Sequence, residues 1–209
     1  MYIERHLKQV FLEGSSFFPA LLITGARQVG KTTFLHKVAE SGRRFVSLDP
    51  LDVRMEAKED PRLFLINNPP PVVIDEIQYV PELLPYIKQM IDEARIRDPE
   101  TARGLFWLTG SQQFEVMKGI SESLAGRIGI FSLLGLSQAE LAGRRGGAFF
   151  PDREFALPPE AVLPREIFTR IWRGSFPGLL TERQPERHWM HFYRSYLQTY
   201  LARDVRALT

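Results

Sequence analysis

The chain has 209 residues, 44% of them hydrophobic and 25% charged, with a formal net charge of +2 and no cysteine. That length accommodates one large domain, or one domain with a small appendage, around a substantial core. The composition excludes disulfides and thiolate metal sites, fits a reducing compartment, and gives no footing to a strongly basic nucleic-acid binder or membrane-surface binder.

Ile3, Leu7, Val10 and Phe11 recur at helical spacing, which predicts an amphipathic helix over residues 3–13 that stops at Gly14. The opening residues carry no basic segment followed by an apolar one, so no secretory signal is expected. No apolar run approaches the roughly 20 residues that a spanning helix requires. The expectation is a soluble, cytoplasmic protein without membrane segments.

The first strand is expected over Ala20–Thr24. It runs into Gly25-Ala26-Arg27-Gln28-Val29-Gly30-Lys31-Thr32, which fits the P-loop pattern G-x-x-x-x-G-K-[ST]. Each position has a mechanical reason. Gly25 and Gly30 let the backbone curl so that successive N–H groups face phosphate oxygens. Lys31 reaches β- and γ-phosphates, and the Thr32 hydroxyl is placed for Mg²⁺. A helix starting near Lys31, with Phe34, Leu35 and Val38 on its apolar face, aims its positive end at the same anion. A nucleoside triphosphate is the ligand this predicts.

Ser41-Gly42 ends that helix and Arg44–Leu48 reads as a second strand, closed by Asp49-Pro50. Residues 53–66 read as polar helix, broken or restarted at Pro61. Pro69-Pro70-Pro71 then delivers the chain into a third strand, Val72-Val73-Ile74-Asp75-Glu76. An apolar strand ending in two acids suits Asp75 as Mg²⁺ support beside Thr32, and Glu76 as the base that activates water. The adjacent acid pair favours hydrolysis over transfer to a hydroxyl acceptor.

Residues 83–96 form a further helix, with Leu84, Ile87, Met90 and Ile91 on one face. A fourth strand over 105–108 ends in Thr109-Gly110-Ser111, where Ser111 or Thr109 is the candidate to orient attacking water. Residues 114–124 are expected to be helical and 127–134 to be the fifth strand. Arg127, just before that strand, is the candidate arginine finger, reaching a neighbouring subunit's γ-phosphate. Strands separated by helices imply right-handed crossovers and a parallel sheet covered on both faces.

Beyond Gly143 the character changes. Residues 143–164 are rich in Gly, Arg and Pro and read as an irregular linker. Helical pattern resumes at Arg165, is interrupted over Gly174–Gly178, and returns over 189–208. His188 and His191 read as a helix surface rather than metal ligands. The aromatic stripe Trp189, Phe192, Tyr193, Tyr196 and Tyr200 reads as a packing face, with base stacking a weaker alternative. The division expected is a nucleotide-binding P-loop core over 1–142 and an irregular linker with a helical region over 143–209.

Several segments together carry a resemblance. They are Ile23 to Thr33, Val73-Ile74-Asp75-Glu76-Ile77-Gln78, Leu108-Thr109-Gly110-Ser111, Leu124-Ala125-Gly126-Arg127 and Tyr200-Leu201-Ala202-Arg203-Asp204-Val205. They resemble prokaryotic AAA-type P-loop ATPases, specifically the family whose ATPase domain precedes a C-terminal domain of unknown function. The resemblance implies an additional-strand sheet of order 5-1-4-3-2 and ATP rather than GTP. It also implies Walker A residues Gly25 to Thr32, with Thr33 beside them in the nucleotide-binding set, and Walker B residues Asp75 and Glu76. A sensor at Ser111, an arginine finger at Arg127, a homo-oligomer, and a small helical lid around Gly174 to Gly178 are implied as well. Members continue well past the Tyr-Leu-x-Arg-Asp-Val segment, whereas this sequence stops at Thr209, so a truncated protein, a fragment or a degenerate gene is the expectation. Ile3 and Arg5 are candidate neighbours of adenine.

The function expected is Mg²⁺-dependent ATP hydrolysis coupled to assembly or remodelling of a macromolecular partner the sequence does not name. An ATP-dependent switch or scaffold with negligible turnover, and the motor of a DNA-linked assembly, are the rivals. The absence of an Asn-Lys-x-Asp segment argues against a GTPase.

Overall fold

The computed structural model describes residues 2–110, 119–120, 123–144, 163–180 and 186–201. The chain divides into two compact units, Leu7–Leu134 and Met1–His6 together with Gly135–Thr209.

The first unit is built on a five-stranded sheet, β1 (Ala20–Thr24), β2 (Arg44–Ser47), β3 (Val72–Asp75), β4 (Phe106–Thr109) and β5 (Ile128–Ser132). The strands lie in the order β2-β3-β4-β1-β5, every pair parallel. This is the order implied by the resemblance, read from the other edge. β1, β3 and β4 are buried along their whole length, which is why each reads as an unbroken apolar run. The edge strands β2 and β5 are only partly buried.

Alternation along the strands sorts the core into two faces. Ala20, Leu22, Val72, Ile74, Phe106 and Leu108 share one cluster with Ala57 of α3 (Leu51–Glu59), Phe64 and Leu65 of α4 (Pro61–Asn67), and Leu83, Leu84, Ile87 and Ile91 of α5 (Leu83–Arg97). On the other face, Phe11 of α1 (Leu7–Ser15) meets Phe34 of α2 (Lys31–Val38), Trp107 and Phe131 edge-on, at centroid distances of 5.5, 4.9 and 5.4 Å. Helices therefore cover both faces. Pro61 starts α4 rather than kinking one long helix, and Asp60 caps it by accepting the Leu63 N–H at 2.8 Å.

Two local expectations change. The N-terminal helix begins at Leu7, not Ile3: the His6 N–H bonds to the Glu140 carboxylate, and the Arg5 side chain pairs with the same group. Gly14 does not end it: the helix runs to Ser15, and a Cβ at Gly14 would sit 2.5 Å from the Phe131 ring. Gly14 is there for close approach to the sheet.

In the second unit, the Arg5 guanidinium is buried against Glu140, at 3.1 Å from Oε1, and donates to the Gly135 carbonyl at 3.2 Å. Glu140 also accepts the His6 N–H at 2.8 Å and closes a capping box with Ser137 on α6 (Gln138–Leu141). Arg5 is thus held in a buried ion pair. The helices α7 (Pro164–Arg173), α8 (Pro177–Leu180) and α9 (Glu186–Tyr196) follow, the last running into a π turn over Leu197–Leu201. Phe176 meets Phe192, Tyr193 and Tyr196 at 5.3, 6.1 and 5.0 Å, so most of the aromatic stripe serves internal packing. The expected helix over 114–124 and the linker over 143–164 lie largely outside the described residues.

Candidate nucleotide site

All of the expected Walker residues fall at the carboxyl end of the sheet, where parallel strands hand over to loops. β1 ends at Thr24, and the loop that follows has three backbone turns with positive φ: Gly25 at 147°, Gln28 at 64° and Gly30 at 92°. Gly25 is required on two counts, since a Cβ there would strike the Leu133 carbonyl oxygen. Gly30 is required only for its conformation, with open space where a Cβ would go. Ala26 and Gln28 are exposed, Arg27 is half-buried, and Val29 is buried as the loop's apolar anchor.

Gly30 is the N-cap of α2 and supplies no side chain to the first helical turn. The first N–H groups of a helix have no intrahelical acceptor, and a glycine loop leading into such a helix start is the arrangement that binds phosphate in P-loop proteins. Lys31 opens the helix and folds back over the loop, its Nζ donating to the Gly25 and Ala26 carbonyls at 3.0 and 3.2 Å. Burial lowers the Lys31 pKa; the Glu76 and Asp75 carboxylates oppose that shift, and the Arg27 charge adds to it. The loop presents two cations, Lys31 and Arg27, and Thr33 beyond them is exposed.

The Thr32 hydroxyl bonds to Asp75, lying 3.1 Å from both carboxylate oxygens. Asp75 ends β3, two strands from β1, because β4 is inserted between them. Thr109, fully buried at the end of β4, bridges the acids: its hydroxyl donates to Asp75 Oδ1 at 2.5 Å and accepts the Glu76 N–H at 2.9 Å. That hydroxyl is committed to the protein rather than turned toward water. Glu76 itself has left-handed backbone, φ 61°, which turns its side chain out of the strand's alternation. The Gln78 amide nitrogen donates to its Oε2.

A hydroxyl and one carboxylate side by side suit Mg²⁺, which keeps waters and phosphate oxygens in the rest of its shell. Among the described residues no group of three or more His, Asp or Glu forms a protein-only metal cage. Thr32 and Asp75 are the residues that would hold the ion.

Arg127 lies at the opposite end of the sheet. Its carbonyl accepts the Ala20 N–H at 3.1 Å, at the amino end of β1, one strand length or about 16 Å from Gly25. The guanidinium is paired with Asp92 of α5, Nε to Oδ1 at 2.6 Å and Nη2 to Oδ2 at 3.0 Å. Ser111, the expected sensor, lies outside the described residues. The Gln78–Glu76, Thr109–Asp75 and Arg127–Asp92 contacts are not legible in the sequence, since no spacing rule encodes them.

Residues 18–142 match the AAA domain family. The chain belongs to that family. Two uncharacterized proteins, from Mycobacterium bovis and Mycobacterium tuberculosis, are each 32% identical to it over 170 residues, 79% of this chain. The chain spans about a third of the length of these curated relatives, 36% in each case. Among solved structures, a Walker-type ATPase of Pyrococcus abyssi aligns over 68% of this chain and 56% of its own, at 17% identity and a TM-score of 0.45. The AAA domain here has its phosphate loop and acid pair in one compact unit. No helix among the described residues is long and apolar enough to cross a membrane.

Proposed function

We propose that this AAA domain binds ATP with Mg²⁺ and hydrolyses it, and that turnover drives assembly or remodelling of a macromolecular partner in the cytoplasm. The observation that carries the reading is the convergence of the Gly25–Lys31 loop with the Thr32–Asp75 pair and Glu76. Backbone N–H groups of residues 25–32 hold the phosphates, and Lys31 leaves its two carbonyl partners to meet the β- and γ-phosphates. The bound ion would neutralise charge developing on the transferred phosphoryl group. Thr32 and Asp75 orient that ion, Thr109 fixes Asp75, and Glu76 takes a proton from the attacking water. Ser111 is proposed as the polar sensor beside the γ-phosphate.

Arg127 is proposed to act on a neighbouring subunit's nucleotide in a homo-oligomer. Its distance from Gly25 supports action in trans, since it cannot reach its own chain's phosphates. The Asp92 pair favours a second reading for the isolated subunit: an ATP-bound state that turns over slowly until assembly draws Arg127 away. Phosphate release measured against protein concentration tests both. Turnover per subunit that climbs with concentration, and a Glu76→Gln variant that binds ATP without cleaving it, are the expected results. Cleavage undiminished in Glu76→Gln removes the proposed base.

A further inference from the structure

Gln78 stands two residues beyond Glu76, in the 3-10 turn Ile77–Tyr79, and its amide nitrogen donates to Glu76 Oε2. Both ends of this bridge are anchored. Ile77 and Val80 are fully buried, and the Val80 N–H closes the turn onto the Ile77 carbonyl at 3.1 Å. Glu76 is held in its left-handed conformation by the bond from its N–H to Thr109. A carboxylate on a free glutamate samples many rotamers; this one is pinned at its backbone and at its tip.

The orientation of the amide follows from charge. An amide oxygen facing a carboxylate would be repelled, so the nitrogen faces Glu76. That leaves Gln78 Oε1 buried, with no hydrogen-bond partner among the described residues. It rests against Gly110, where a Cβ would come within 3.3 Å of it, and the Gly110 N–H is itself tied to the Ile23 carbonyl at 3.1 Å. A buried acceptor without a donor is unfavourable. The compensating interaction at the other end of the same amide is the charge-assisted bond to Glu76.

We propose that Gln78 is a positioning residue for hydrolysis. Its amide holds the Glu76 carboxylate in the direction from which it takes the proton of the attacking water. Gly110 supplies the gap in the β4 turn that lets the amide lie there. The proposal rests on the reading of Glu76 as the base.

The test uses Gln78→Met, which keeps length and removes the donor, and Gln78→Glu, which sets a second carboxylate against Glu76. Displacing the base by an ångström lowers kcat by about 10- to 100-fold. Both variants are expected to show that loss, with ATP affinity unchanged. Gln78→Met combined with Glu76→Gln is expected to be no slower than Glu76→Gln alone, because Gln78 acts only through Glu76. Wild-type kcat in Gln78→Met, or a faster one, alongside an inactive Glu76→Gln overturns the role of Gln78 and leaves Glu76 in place. Activity retained in Glu76→Gln overturns the reading beneath both. Independently of turnover, and with the other amide resonances unchanged as the sign that Glu76→Ala is folded, the Gln78 side-chain amide resonances are expected to move between the wild-type protein and Glu76→Ala. Unmoved resonances would mean that the bridge is absent in solution, and the proposal fails.

Discussion

Arg127 and Asp92 form a two-pronged ion pair at the amino end of the sheet, and the carboxylate is held below the usual aspartate range chiefly by the hydrogen bond from that guanidinium. The pair is partly exposed, so its own contribution to stability is small, within about 1 kcal/mol. Its consequence is for availability: while the pair stands, the guanidinium is occupied within its own chain. Asp92→Ala is expected to leave the melting temperature nearly unchanged and to raise turnover per subunit at low protein concentration. Arg127→Ala is expected to lower turnover by about 10³-fold in the assembled state while leaving ATP binding intact. Titrating ATPase rate against subunit concentration for both variants checks this.

Thr109→Val tests the bridge between the acids. Valine matches the shape but removes the donor to Asp75 Oδ1 and the acceptor for the Glu76 N–H, both in a buried setting. Unfolding in urea should register a loss of about 1–3 kcal/mol. Hydrolysis should fall further than ATP affinity, because Glu76 loses the bond that holds its backbone.

The two loop glycines should respond differently to alanine. At Gly25 a methyl group meets the Leu133 carbonyl, and φ is 147°. Gly25→Ala should therefore cost more than about 1 kcal/mol and abolish nucleotide binding. At Gly30 φ is 92° but the space is open. Gly30→Ala should cost about 1 kcal/mol from conformation alone and weaken binding without abolishing it. Equal behaviour of the two would contradict the loop geometry.

Much of this arrangement was legible in the residues because buried parallel strands leave a plain signature. Ala20–Thr24 occupies its expected bounds, whereas β5 is shorter at both ends than the expected 127–134. The Walker residues followed from spacing, as each position answers to a local mechanical need. Gly14 misled because a helix-stopping residue and a close-packing residue look alike in sequence. The Asp92–Arg127 and Thr109–Asp75 contacts join residues more than 30 positions apart, and nothing along the chain announces them.

The Arg5–Glu140 pair makes a pH prediction. Desolvation pushes the Glu140 carboxyl up, but the N–H groups of Ser137 and His6 and the Arg5 charge outweigh it and leave it below its ordinary 4.5. A carboxyl with a depressed folded-state pKa contributes stability above its unfolded pKa and loses it as pH falls through the folded value. Glu140→Gln should thus cost about 1–3 kcal/mol at neutral pH. The gap to wild type should narrow below pH 4.5, where urea-unfolding midpoints of the two are expected to converge.

The central claim is that the Gly25–Thr32 loop holds a nucleoside triphosphate, and titration calorimetry with ATP addresses it most directly. One saturable ATP site per chain, strengthened by Mg²⁺ and lost in Lys31→Ala, is the predicted result. No saturable heat at millimolar ATP, or binding undiminished in Lys31→Ala, would contradict it.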